Sequence, residues 1–278
     1  MSVAARIGIA PPPRKRGNFL VRTFGNERAI LGLVGFFGVI LAWEIGGLLG
    51  IIDDAFFSRP SQILAAGAAE VQKPRFWTDV QASMLEFSAG YILAIVLAVP
   101  LGLAAGWFRK LQWALDPWLN FFNSLPRVAL LPILVIFFGL GLGSKIAVVF
   151  LGAFFSIIIP TLQGVRTVER RLLDVATSFR APRRMLFTTV VAPATVPFMV
   201  TGMRLGMARA LIGVVTGELY AATIGLGVMI RRASEAREGD RMLFGVLIFT
   251  IAGIIGVELI RRLERRFQKW RPTTEVRR

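Results

Sequence analysis

The stretch DVATSFRAPRRMLFTTVVAPA, Asp174 to Ala194, carries charged residues and prolines between two strongly apolar parts of the chain. Apolar side chains recur there at helical spacing, which predicts a short helix over 174–180. Pro182 ends that helix, because the residue before a proline is pushed out of the α region, and proline itself suits the first turn of a second short helix. We expect Pro193 and Pro197 to end this helix–turn–helix segment and to open the next apolar run.

The composition is that of an integral membrane protein. Apolar residues make up 55% of the 278, the mean hydropathy is +0.63, and 18% of residues are charged, below the roughly 25% of soluble domains. There is no cysteine or histidine, so we expect no disulfide, no metal site and no catalytic residue. The formal net charge is +16, but the bases flank apolar runs, so we expect no nucleic-acid partner.

Six segments approach the roughly 20 apolar residues that a helix needs to cross a bilayer. The predicted fold class is therefore all-α, a polytopic membrane protein with about six transmembrane helices. Three prolines, Pro117, Pro126 and Pro132, predict that the third span is broken or kinked at its start, either as a gate or for packing. The six predicted spans cover residues 29–51, 87–107, 118–139, 145–163, 193–222 and 242–260.

The basic residues indicate which side of the membrane each loop occupies. Segments 1–28, 107–126, 163–189 and 261–278 together hold 22 Lys/Arg and 6 Asp/Glu, whereas 51–80, 140–145 and 223–241 hold 8 basic and 7 acidic residues. The positive-inside rule therefore places both termini in the cytoplasm. The chain divides into a basic N-terminal arm (1–28), a transmembrane domain (29–260) and a basic tail (261–278), with the lipid membrane as its surroundings.

The fifth predicted span combines a stripe of small residues with ionisable ones. Five small residues fall within one narrow arc of this helix: Gly202, Gly206, Ala210, Gly213 and Gly217. Such an arc predicts that another helix packs closely against it, either within the subunit or from a second copy. Ionisable residues at membrane depth usually face a cavity or a partner. One interpretation is that Arg204 or Arg209 offers charge to an anionic solute or a gate, with Glu218 near the outer mouth. The other is that these residues pair with Glu44, Glu86 or Glu258, or reach the lipid headgroups.

The opening stretch resembles the membrane-spanning permeases of binding-protein-dependent ATP-binding-cassette (ABC) importers. Their cytoplasmic signature is Glu-Ala-Ala, three residues, Gly, nine residues, Ile, one residue and Leu-Pro. The corresponding residues here are Asp174, Val175 and Ala176, then Arg180, Val190, Ala192 and Pro193. The spacing of the signature is kept in this chain, whereas the residue identities are kept only in part. An arginine in the left-handed conformation of the family glycine would cost about 1 kcal/mol, unless Ala181-Pro182 makes the turn by another route.

The resemblance extends from about Phe57 to Ile260, and the matching stretches look like the sulfonate, taurine and nitrate branch of the family. The similar stretches include FFSRPSQIL, LAVPLGLAAGWFRKLQWALDP, LPRVALLPILVIFFGLGLGSK, TLQGVRTVERRLLDVA and TGMRLGMARALIGVVTGELYAATIGLGVMI. The resemblance implies a type I ABC importer permease in the bacterial plasma (inner) membrane. The implied solute is a small organic or inorganic anion such as a sulfonate, taurine, nitrate or bicarbonate, moved by alternating access.

In such a permease, segment 169–191 is the cytoplasmic coupling helix, which sits in a groove of the ATPase subunit. The resemblance assigns this contact to Asp174, Val175, Ala176, Phe179, Arg180, Ala181, Pro182 and Pro193. It also implies two cytoplasmic ATPase subunits, a second permease subunit as a homodimer, and an extracytoplasmic substrate-binding protein. The chain has no G-x-x-x-x-G-K-[ST] sequence, so we expect ATP and Mg on the ATPase and no cofactor here.

Two other functions stay open for a chain of this kind. A secondary transporter driven by an ion gradient would relay protons through membrane carboxylates and usually shows inverted repeats. A non-transporting membrane scaffold would use the same helix–turn–helix segment to bind another cytoplasmic protein. ATP-dependent uptake separates the importer from both.

Overall fold

The computed structural model describes residues 19–51 and 57–267 of the chain. Within those two ranges, regular structure is entirely helical, as the sequence predicts. Residues 1–18 of the predicted arm (1–28) and residues 268–278 of the predicted tail (261–278) lie outside the described residues. The helices are α1 Phe19–Leu48, α2 Pro60–Val71, α3 Pro74–Trp107, α4 Arg109–Ser124, α5 Leu131–Phe138, α6 Leu142–Arg166, α7 Arg170–Ser178, α8 Arg183–Leu186, α9 Ala192–Ala221, α10 Leu226–Glu235 and α11 Gly239–Phe267.

Five helical stretches of the described chain are long and apolar enough to cross a membrane. They are Ile30–Leu48, Pro74–Trp107, Leu142–Arg166, Arg183–Ala221 and Gly239–Arg262. Each contains one of the predicted spans or most of it, and several extend beyond the predicted bounds. The prediction of six spans holds only if a bent pair of helices is counted as the sixth.

That bent pair covers the predicted third span at 118–139, and the break predicted near the start of that span is present. Arg109–Ser124 and Val128–Phe138 meet at 92°. The break comes at Leu125 and Pro126, both in extended conformations, and a short 3-10 turn at Arg127–Leu130 follows. The residue before a proline avoids the α region, which explains the position of the break. Pro117 lies inside α4 instead of ending it.

Helix α6 lies at the centre of the bundle, with α3 against one side and α9 against the other. Small residues on both neighbours allow this approach, because a side chain there would strike the backbone of α6. A Cβ at Gly202 would lie 3.0 Å from the Ile157 oxygen, and one at Gly213 3.0 Å from the Val149 Cα. On α6 itself, a Cβ at Gly152 would lie 2.9 Å from the Arg209 carbonyl oxygen. The core is therefore a close three-helix contact.

The helix–turn–helix segment forms α7, a turn at 179–182 and then α8. The expectation that Pro193 and Pro197 separate it from the next span is wrong, because Arg183–Ala221 forms one helical stretch of 39 residues. A π-helical turn at Phe187–Val191 joins α8 to α9, and the Ala192 N–H bonds to the Phe187 oxygen. Such local adjustments let a membrane helix accommodate proline. At about 1.5 Å per residue, the stretch is about 58 Å long.

Candidate functional site

The turn after α7 depends on the left-handed conformation of Arg180. Its φ is 52°, so the arginine takes the conformation that the family glycine takes without strain. The Arg180 N–H bonds to the Thr177 oxygen at 2.8 Å and the Ala181 N–H to the Ala176 oxygen at 3.2 Å. These two bonds form a Schellman motif, which satisfies carbonyls at the end of α7. Ala181-Pro182 therefore makes no alternative turn.

An apolar surface is exposed around that turn. Phe179 is 82% exposed and Val175 57%, and Leu172 and Met185 are also exposed. Asp174 lies beside them at the surface, whereas Ala176 and Ala181 are half-buried. We call Leu172, Val175, Phe179 and Met185 the α7 surface. An amphipathic helix with exposed anchors at this spacing is suited to a groove on another protein.

The segment is fixed to the membrane bundle through α8 and the π-helical turn. Phe187 packs edge-on against Trp107 at the end of α3, with ring centroids 5.2 Å apart. Pro193 lies in the first turn of α9, half-buried and away from the α7 surface. Of the eight residues that the resemblance assigns to the coupling contact, seven lie together around the turn, and Pro193 lies apart from them in α9.

Glu218, near the opposite end of α9, is fully buried and holds the start of α10. Its Oε1 accepts a hydrogen bond from the Ser83 hydroxyl at 2.5 Å, and its Oε2 accepts the Gly227 N–H at 2.6 Å. Ser83 Oγ accepts the Leu226 N–H at 2.9 Å, and Asp79 Oδ1 accepts the Gly225 N–H at 2.9 Å. Three successive N–H groups at a helix start are thus capped by side chains from α3 and α9.

A buried charge pair lies beside this cap. The Lys145 ammonium on α6 bonds to the Glu86 carboxylate on α3, and both side chains are almost inaccessible to solvent. Glu86 and Lys145 also lie close enough to interact with the Glu218 carboxylate. Buried charges are tolerated when they are paired and hydrogen-bonded. We call Asp79, Ser83, Glu86, Lys145 and Glu218 the buried polar cluster, and it ties α3, α6, α9 and α10 together.

Sequence reasoning missed most of that cluster. Lys145 was assigned to the edge of a loop, but α6 begins at Leu142, which puts the lysine within the first turn of a buried helix. The available signal was the spacing of Asp79, Ser83 and Glu86, which are four and three residues apart and therefore share one face of a helix. Glu218, for which the sequence suggests a place near the outer mouth of the pathway, is fully buried in the bundle.

Arg204 forms an ion pair that the sequence did not identify. Its Nη2 lies 2.6 Å from Glu264 Oε2 on α11, whereas the predicted partners were Glu44, Glu86 and Glu258. Each of those acidic side chains has another partner: Glu44 accepts hydrogen bonds from Ser61, Glu86 binds Lys145, and Glu258 pairs with Arg261 and Arg262. Glu264 lies on α11 beyond the predicted sixth span, in the segment assigned to the basic tail.

Arg209 differs from Arg204, because it is exposed and lines a cavity of about 340 Å³. Polar residues from three helices line the same cavity, namely Asn123 of α4, Ser156 of α6 and Thr216 of α9. Among the described residues, no carboxylate lies within ion-pair distance of Arg209. The four stripe glycines, Gly202, Gly206, Gly213 and Gly217, are buried against α6, so the stripe and Arg209 belong to adjacent faces of α9.

Comparison with known proteins assigns the chain to a family. The family described as "Binding-protein-dependent transport system inner membrane component" matches residues 88–269. The taurine transport system permease protein TauC of Escherichia coli is 30% identical over 250 residues, covering 88% of this chain and 91% of TauC. The formylaminopyrimidine transport permease protein ThiX of Halalkalibacterium halodurans is 31% identical over 236 residues, covering 85% of this chain and 94% of ThiX.

A solved structure of the MetNI methionine ABC transporter, in an inward-facing conformation, has the same fold. The TM-score is 0.62 at 17% identity, and the match covers 70% of this chain and 99% of that one. Such a likeness supports the architecture and says nothing of the solute. The helical bundle and the turn after α7 agree with the family match over residues 88–269. The chain therefore belongs to the family of inner membrane components of binding-protein-dependent transport systems, the ABC importer permeases.

Proposed function

We propose that this permease forms, with a second copy of itself, the pathway by which a small solute enters a bacterial cell at the expense of ATP. Two ATPase subunits bind and hydrolyse ATP with Mg on the cytoplasmic side, and a binding protein delivers the solute on the other side. The permease alternates between two conformations, which open its pathway to opposite sides of the membrane, as its partners change state. TauC and ThiX, by their names, transport taurine and formylaminopyrimidine, which supports a small organic solute.

The observation that carries this proposal is the α7 surface. It consists of apolar side chains that a protein of this kind would bury in the groove of its ATPase, with Phe179 as the largest exposed anchor. Asp174, Arg180, Ala181 and Pro182 shape the edge of that contact and the turn that presents it. Because α8 continues through α9, a displacement of the α7 surface would move a helix about 58 Å long.

The orientation follows from the same contact. The ATPase is cytoplasmic, so the α7 surface faces the cytoplasm, and the excess of basic residues in 1–28, 163–189 and 261–278 supports both termini on that side. The cap of α10 by Glu218 then lies toward the outer face, where the binding protein would dock. This arrangement puts the two protein contacts at opposite ends of α9.

The experiment is reconstitution of the permease with its ATPase in liposomes, with the binding protein supplied at saturating concentration. Uptake of labelled taurine, an alkanesulfonate, nitrate and bicarbonate is measured with ATP on the ATPase side. We expect uptake of at least one probe to require ATP and to be unaffected by a protonophore. Uptake that follows a proton gradient without ATP would identify a secondary transporter, and an ATPase that neither binds nor is stimulated would favour the scaffold.

A further inference from the structure

Arg209 lies near the middle of α9, too far along the helix for its charge to reach either end. It is 12 residues from Ala221 and 17 from Ala192, which correspond to about 18 Å and about 26 Å along the helix. The hydrocarbon core of a bilayer is about 30 Å thick. An arginine at this depth needs a partner or a water-filled cavity, because an isolated charge in hydrocarbon is costly.

Other cations of the bundle have carboxylate partners in the structure. Arg204 pairs with Glu264, Lys145 with Glu86, and Arg241 with Glu70 at 2.7 Å. Arg209 has none among the described residues and instead lines the 340 Å³ cavity. That volume is at the small end of the roughly 300–1,000 Å³ that is usual for small-molecule sites.

The residues around Arg209 leave its charge uncompensated. Of the described residues that line this cavity, none is acidic. The Ser156 hydroxyl donates to the Gly152 oxygen at 3.2 Å and the Thr216 hydroxyl to the Ile212 oxygen at 2.7 Å, each within its own helix. Among its described lining residues the cavity therefore has several polar groups and one positive charge, a combination that favours an anion over a cation or a neutral solute.

We propose that Arg209 and this cavity form an anion-binding subsite of the permease pathway, for the oxyanion end of a small solute such as an alkanesulfonate. This inference rests on the proposed function and adds the class of solute. The relatives do not decide that class, because TauC is named for taurine, which carries a sulfonate, and ThiX for a formylaminopyrimidine. A guanidinium presents several N–H donors to an oxyanion in a fixed geometry, so it binds the ligand as well as attracting it.

Thiol labelling in isolated membranes tests the subsite directly, because the chain has no cysteine of its own. Ser156→Cys places one thiol on the cavity wall with little change in size. The full-length variant is treated with sulfonatoethyl methanethiosulfonate, itself a small sulfonate, and separately with trimethylammonioethyl methanethiosulfonate. The labelling rate with the sulfonate reagent is divided by the rate with the trimethylammonium reagent. This ratio is then divided by the same ratio measured for a free thiol. The same measurement is made after adding Arg209→Gln, Arg209→Lys or, as the matched control on the same helix, Arg204→Gln.

We expect the sulfonate reagent to be favoured by about tenfold with Arg209 present, as one uncompensated charge at close range predicts. The preference should disappear with Arg209→Gln and persist with Arg209→Lys and with Arg204→Gln. A ratio that does not change when Arg209 is replaced by glutamine would overturn the inference, and so would a thiol at position 156 that neither reagent labels. The labelling needs neither ATP nor an ATPase, so its outcome is independent of the reconstitution that tests the proposed function.

Discussion

Removal of the Glu218 carboxylate should destabilise the whole bundle, because this side chain joins α9 to α3 and to the start of α10. Glu218 is fully buried and accepts hydrogen bonds from Ser83 and Gly227. Hydrogen bonds to a charged group contribute about 1.5–3 kcal/mol each, and a buried donor left without an acceptor is costly. Glu218→Ala should therefore lower the free energy of unfolding by about 3–6 kcal/mol. Glu218→Gln retains one acceptor and should cost about half as much.

The assay is the apparent midpoint of thermal unfolding of the purified chain in detergent, at one heating rate for all variants. For a chain of this size, each kcal/mol corresponds to roughly 2–4 °C. Glu218→Ala should then lower the midpoint by at least about 6 °C. The matched control is Glu235→Gln, since Glu235 on α10 is exposed and has only a 4.0 Å pair with Arg231. Such a pair contributes little, and the control should stay within about 2 °C. A midpoint for Glu218→Ala within that range would refute the assignment of Glu218 as a structural cap.

Two further predictions concern backbone geometry, and the same assay checks both. Arg180→Gly should raise the free energy of unfolding by about 0.5–1 kcal/mol, because glycine adopts the left-handed conformation at this position without strain; an unchanged or lower midpoint would contradict the Schellman turn described here. Gly213→Ala should cost about 1–3 kcal/mol, since its Cβ would press on the α6 backbone, whereas a Cβ at Gly217 would meet Lys145 at an ordinary 3.6 Å. Equal effects of alanine at the two glycines would show that α6 and α9 are not packed as described.

The sequence was sufficient to predict the class of fold and the helix–turn–helix segment, because both depend on local patterns. Long apolar runs identify membrane helices. The helical spacing of Leu172, Leu173, Ala176 and Phe179, with Pro182 after them, identifies a short helix and a turn. The stripe from Gly202 to Gly217 indicated a packing face, although the pattern alone could not decide between α6 and a second copy as its partner.

Other features depend on contacts between residues far apart in the chain, and hydropathy cannot show these. Lys145 and Glu86 are 59 residues apart, and Arg204 and Glu264 are 60 apart. The continuity of α9 through Pro193 depends on a π-helical turn, which the residues around it do not reveal. The exposure of Arg209 in a cavity likewise required the positions of α4 and α6.

The central claim is that the α7 surface binds the ATPase, and co-purification of the two proteins tests it most directly. The permease is co-expressed with its ATPase and recovered in detergent through a tag on the permease. Phe179→Asp is compared with Leu140→Asp, which alters a side chain of similar exposure, 79% against 82%, in the loop between α5 and α6. Both variants must first show the elution profile and unfolding midpoint of the unmodified chain.

We predict that the ATPase is recovered in stoichiometric amount with the unmodified chain and with Leu140→Asp, and at least about tenfold less with Phe179→Asp, as for the loss of a buried aromatic anchor. Equal recovery with all three, from variants that are equally well folded, would contradict the assignment of the α7 surface as the coupling contact.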